Sequence, residues 1–80
     1  MEPVNVTVKF TDKGNIILLR LDMPGQILKV ESTGREWEEE DGRHMLAMVE
    51  GNRVFHLLFS PQKMMWYIVP RPDLPHQPVA

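Results

Sequence analysis

The stretch Arg35–Val69, REWEEEDGRHMLAMVEGNRVFHLLFSPQKMMWYIV, decides the fold. It reads as four β-strands folded back and forth, with a tryptophan on each outer strand. Asp41-Gly42 lies between two extended runs, and Asp-Gly suits a two-residue type I′ hairpin because both central residues need φ > 0. That turn sets Glu39 opposite His44, Trp37 opposite Leu46 and Glu36 opposite Ala47. Gly51-Asn52 offers a second turn of the same chemistry. It places Met48 opposite Phe55, Leu46 opposite Leu57 and His44 opposite Phe59. Ser60-Pro61-Gln62-Lys63 carries proline where its fixed φ fits a type I turn. This third connection sets Phe59 beside Met64, Leu57 beside Trp66 and His56 beside Tyr67.

The three registers agree on one face, a row of Trp37, Leu46, Leu57 and Trp66 flanked by Met48, Phe55, Ile68, Phe59 and Met64. A one-residue slip would carry the whole set to the other side. The other face collects Met45, Val49, Val54, His56, Leu58, Met65, Tyr67 and Val69, with Ala47 among them. An antiparallel sheet with one wet side alternates apolar and polar residues. This sheet does not, so its second face needs a cover, from the rest of the chain or from another molecule.

Toward the N-terminus, Val4, Val6, Val8 and Phe10 alternate with Asn5, Thr7 and Lys9, the period of a half-buried strand. Thr11–Asn15 has hairpin-turn residues. The returning run IILLRLD is expected to put Phe10 opposite Ile17 and Val8 opposite Leu19, with Arg20 and Asp22 facing away beside Thr7 and Asn5. Met23-Pro24-Gly25-Gln26 meets the demand of a type II turn, beyond which Leu28 meets Leu21 and Val30 meets Leu19. Gly34 marks a bulge or bend where the chain passes from the first sheet to the second. The predicted fold is all-β: a small antiparallel meander of six or seven strands forming a rolled sheet, an SH3-like barrel or a compact sandwich. No segment has sustained helical periodicity with caps. Residues 1–69 form a single domain, and 70–80, with Pro70, Pro72, Pro75 and Pro78, read as an extended or disordered tail.

With 80 residues, 42% of them hydrophobic and 25% charged, the chain suits one small globular domain. A net charge of −2 gives no footprint for a polyanion. There is no cysteine, hence no disulfide framework, thiolate metal site or cysteine nucleophile. An apolar signal-peptide core and a bilayer-spanning run are also missing, so a cytoplasmic setting is the expectation.

The succession PVNVTVKFTDKG, then ILLRLDMPGQILKV, then a tryptophan, then GNRVFHLLFSPQKMMWYIV is similar to a family of short bacterial all-β proteins of unknown function. Members share a glycine turn after the first strand and a closing hairpin of the form V-[FY]-x-L-x-F…W. The similarity extends to about Val69, although Leu18 or Leu19 stands where members often place an aromatic. No assigned activity, cofactor or site residue comes with it. The resemblance implies a fold and nothing more.

Candidate chemistry is sparse. The acidic run Glu36, Glu38, Glu39, Glu40 and Asp41 could bind a metal or a basic partner, with Glu36, Glu38 and Glu40 sharing a face of an extended strand; the expected role is a solvated edge whose charges discourage aggregation. His44 and His56 are expected on opposite faces, with His76 in the tail, so no metal site is expected. Glu36, His56 and Tyr67 form the one suggestive trio, a candidate pH-sensitive contact or ligand row. No serine or threonine has a base at motif spacing, and no phosphate loop is present. The expectation is therefore a non-enzymatic domain without cofactor. It would act by association with itself or another protein, as a homodimer or accessory subunit, and not with a membrane. The alternative is a single-stranded nucleic-acid-binding barrel, which needs exposed aromatics among basic residues. Lys29, Arg35, Arg43, Arg53 and Lys63 are scattered and balanced by acids.

Overall fold

A computed structural model describes residues 1–70. Six strands run in chain order: β1 (Glu2–Phe10), β2 (Ile16–Met23), β3 (Gln26–Glu39), β4 (Gly42–Val49), β5 (Arg53–Ser60) and β6 (Met65–Ile68). Each pairs antiparallel with the next, and β6 returns to β1 through Glu2–Ile68, Pro3–Tyr67 and Val4–Trp66, closing a barrel. The predicted all-β class holds, and of the three architectures the barrel is the one formed. The Pro-rich segment predicted as a tail lies outside the described residues.

Among the described residues the strands are joined by short turns, and the turn residues set the pairing. Gly25 has φ 83 after Pro24, so the expected type II turn forms, and Leu21 meets Leu28 as predicted. Asn5, Val6 and Thr7 meet Asp22, Leu21 and Arg20, again as predicted. Beyond Thr7 a β-bulge inserts one residue into β2, so Val8 pairs with Leu18 and Phe10 with Ile16. The bulge inverts the expected facing. Leu18 is buried, whereas Ile17 and Leu19 are exposed.

β3 is long enough to serve both halves of the barrel: its first residues pair with β2 and its later ones with β4. Register shifts between Val30 and Ser32 and between Thr33 and Glu36 bend it. Gly34 sits in the second of these shifts, where a Cβ would press to 3.3 Å from the Met48 side chain.

The two predicted type I′ turns are both displaced. Between β3 and β4 the closing pair is Glu39–Gly42, so Glu40 and Asp41 make the turn and Trp37 faces His44 instead of Leu46. That is a shift of two residues, which preserves the faces. Between β4 and β5 the closing pair is Val49–Arg53, leaving Glu50, Gly51 and Asn52 in the loop, with Gly51 and Asn52 at positive φ. This shift is one residue, and it turns β4 over relative to the expectation. Met45, Ala47 and Val49 now face Leu57 and Phe55 inside the barrel, while His44, Leu46 and Met48 face Leu58, His56 and Val54 outside. Between β5 and β6, Ser60 pairs with Met65 and Phe59 with Trp66, and Met64 takes a left-handed conformation at φ 53 to close the loop. This too is a two-residue shift and leaves the facing unchanged.

The core consists of Leu18, Leu21, Leu28, Met45, Ala47, Val49, Leu57 and Trp66, with Val4, Val6, Val8, Val30, Phe55 and Ile68 among those packed on it. Trp66 belongs to this interior, whereas Trp37 lies in the row Trp37–His44–Leu58–Tyr67 on the exterior. The predicted alignment of the two indoles on one face is therefore incorrect. No helix among the described residues is long and apolar enough to cross a membrane.

Candidate functional site

The one-residue loop difference at Glu50–Asn52 has a chemical consequence, because it brings the two strand histidines onto the same side. His44 on β4 and His56 on β5 are expected on opposite faces. Instead their rings lie 5.0 Å apart, with His44 Nδ1 2.8 Å from His56 Nε2. Trp37 stacks on His44 at 5.3 Å with an interplanar angle of 12° and leans on His56 at 5.2 Å. His44 is only 5% exposed.

The far nitrogen of His44 reaches the β3–β4 turn. His44 Nε2 lies 2.8 Å from Asp41 Oδ1 and 3.3 Å from Glu39 Oε1. Ionised carboxylates only accept, so the hydrogen on His44 sits at Nε2 and is donated to Asp41. In the neutral ring Nδ1 then accepts from His56 Nε2–H. The other oxygen of Glu39, Oε2, accepts from the Trp37 indole N–H at 3.0 Å. Two carboxylates, two imidazoles and an indole are thus tied into one chain of contacts on the barrel exterior.

The hydrogen bond from His44 holds the Asp41 carboxyl below its ordinary value of 3.8. A group whose folded pKa is depressed adds stability above its unfolded pKa and loses it as pH falls through the folded one. Asp41→Asn therefore removes a contribution present at neutral pH. In acid titrations followed by circular dichroism, the variant should show a smaller loss of stability than the wild type below about pH 4. Superimposable acid limbs would mean the Asp41–His44 bond does not form.

The other predicted groups are redistributed. Glu36 and Glu38 flank Arg43, at 4.0 and 3.1 Å, on the opposite side of the strand from Trp37. The trio of Glu36, His56 and Tyr67 is therefore not assembled: Glu36 is on the wrong face, and Tyr67 pairs with Leu58. Of the predicted interface, Met45 and Val49 are interior and Leu58 is sealed between its ladder partners His44 and Tyr67, so none of the three offers a surface. Val54, His56, Met65, Tyr67 and Val69 remain at least partly exposed. The sequence carries a signal for the Trp37–Glu39–Asp41–His44 group only if Glu40-Asp41 is chosen as the turn.

A second surface is created by unequal strand lengths. β6 pairs with β1 only over Glu2–Val4, and β3 pairs with β2 only over Arg20–Met23. Among the described residues, the outer edges of Asn5–Phe10 and of Ile16–Leu19 have no ladder partner. A cleft of about 610 Å³ opens where β6 stops, bordered by Val6, Pro24, Met64 and Trp66. Phe10 is 63% exposed on this ribbon, and Ile17 and Leu19 are each 43% exposed.

No family model, curated protein or solved structure matches the chain. The class of protein defined by the fold is a small closed antiparallel barrel, and the roles of its surfaces rest on their own geometry.

Proposed function

We propose that the protein is a non-enzymatic module that works by association with a second copy of itself, through the ribbon of β1 and β2. The observation that carries this reading is the run of unpaired edge beside exposed Phe10, Ile17 and Leu19. An open edge is a template for another strand. Exposed apolar side chains lie on both faces of the ribbon, Phe10 beside Ile16 on one and Ile17 beside Lys9 on the other, and strand addition at the edge would cover them. Two copies of one edge can pair antiparallel about a two-fold axis, which makes the contact self-complementary and closes the assembly at a dimer. Lys9 and Lys13 beside the edge discourage indiscriminate stacking. Side chains from all six strands fill the interior.

Sedimentation equilibrium over a micromolar concentration series tests the proposal. The wild type should sediment as a dimer, and Phe10→Asp combined with Ile17→Asp should sediment as a monomer with unchanged far-ultraviolet circular dichroism. A wild type that stays monomeric throughout, or a dimer indifferent to both substitutions, removes the ribbon from consideration.

A further inference from the structure

We infer that Glu39, Asp41 and His44 form a binding site for a divalent transition-metal ion, with Zn²⁺ as the representative. The site is on the outside of the β3–β4 hairpin. Its argument is independent of the association reading.

The three residues each offer one ligand atom, and these atoms lie within 4.8 Å of one another. Imidazole nitrogen with two carboxylate oxygens is a donor set suited to borderline ions such as Zn²⁺, and less suited to Mg²⁺ or Ca²⁺, which prefer oxygen alone. Such an ion sits about 2.0–2.2 Å from each ligand. The carboxylates of Glu39 and Asp41, both at least half exposed, have room to close that distance, while His44 is held. Two carboxylate charges balance the ion, and the exposed side leaves positions for water.

Grouped acids on a surface would not by themselves make a site. Here the groups behind the ligands are also arranged as metal sites require. A ligating histidine characteristically uses its second nitrogen to contact a fixed partner, which sets ring orientation and tautomer. His44 has that partner in His56 Nε2, 2.8 Å from Nδ1, and is nine-tenths buried with Nε2 aimed between the two carboxylates. Glu39 is also oriented from behind, by the indole N–H of Trp37 on Oε2, which leaves Oε1 toward His44. The ion takes the place of the hydrogen on His44 Nε2. That hydrogen shifts to His44 Nδ1 as the ring changes tautomer and is donated to His56 Nε2, whose own hydrogen shifts to His56 Nδ1, so each neutral ring keeps one.

Calorimetric titration of the full chain with ZnCl₂ should give saturable binding of one ion per chain. Glu39→Gln combined with Asp41→Asn should weaken it at least tenfold. Both side chains are exposed, so the variant keeps its fold, and its melting temperature should no longer rise with added Zn²⁺ as that of the wild type does. Ni²⁺ or Co²⁺ should quench the indole stacked on His44, and Trp37→Phe should abolish most of that quenching while Trp66 still emits. His76→Ala should bind as the wild type does. Absence of saturable heat at millimolar Zn²⁺, equal affinity in the carboxamide variant, or loss of binding in His76→Ala would each overturn the assignment.

Discussion

Met45→Ala lowers the stability of the barrel by about 2–5 kcal/mol, the range for deleting a fully buried long side chain. Met45 is 0% exposed and lies on the inward side of β4 opposite Leu57. Truncation removes its transfer free energy and leaves a cavity that β4, paired with β3 on one side and β5 on the other, cannot readily collapse around. A domain of this size has a total stability of roughly 4–12 kcal/mol, so the variant approaches the unfolding threshold. Leu46→Ala, one residue along, should cost far less, because Leu46 faces His56 on the exterior and is only half buried. Urea unfolding of the two variants reads the difference directly. The two-residue turn expected at Gly51-Asn52 requires the reverse order, with Leu46 the costly position. If Leu46→Ala is the more destabilised protein, β4 faces the other way, and the His44–His56 contact goes with it.

The pair of substitutions also marks the limit of what the chain's pattern could specify. The N-terminal pairing was legible because β1 alternates strictly and the Pro24-Gly25 turn admits one geometry. Val6–Leu21 and Leu21–Leu28 follow from those two facts. The strand number, the class and the break at Gly34 were legible for similar reasons. β4 reads HMLAMV, apolar on both sides, so a slip of one residue costs no burial and hydrophobic patterning is silent about it. The choice fell to the turn, and Glu50-Gly51-Asn52 satisfies a three-residue loop as well as Gly51-Asn52 satisfies a two-residue one. The apparently uncovered second face was a product of that ambiguity. Its β4 residues Met45, Ala47 and Val49 close the barrel, and on the exterior His56 meets Trp37 and His44. The bulge at Thr7/Val8 was likewise invisible, because Ile16, Ile17, Leu18 and Leu19 are interchangeable in hydrophobicity and only closure of the barrel selects Leu18 for the inside.

Gly42→Ala should destabilise the protein by about 3 kcal/mol or more, beyond any other glycine substitution in the chain. Gly42 closes the β3–β4 turn at φ 141, a conformation L side chains rarely adopt. Its missing side chain also matters, because a Cβ there would be driven into the carbonyl oxygen of Phe59 on β5 and would stand 3.1 Å from Leu58 Cδ1. Backbone cannot yield as a flexible side chain can, so relief requires β4 and β5 to separate at the end where His44 meets Leu58. Gly14→Ala is the internal comparison: φ is 83, but a Cβ there meets nothing within 4 Å, so only the conformational cost of about 1 kcal/mol applies. The excess of the first substitution over the second isolates the steric part. Because Asp41 immediately precedes Gly42 and Glu39 is its ladder partner, strain at this point also displaces both carboxylates from His44 Nε2. Gly42→Ala should therefore lose Zn²⁺ binding along with stability, whereas Gly14→Ala, in the β1–β2 turn, should keep it. Equal melting temperatures for the two variants would show that Gly42 does not lie against the Phe59 backbone, and the turn that assembles the site would have to be drawn differently.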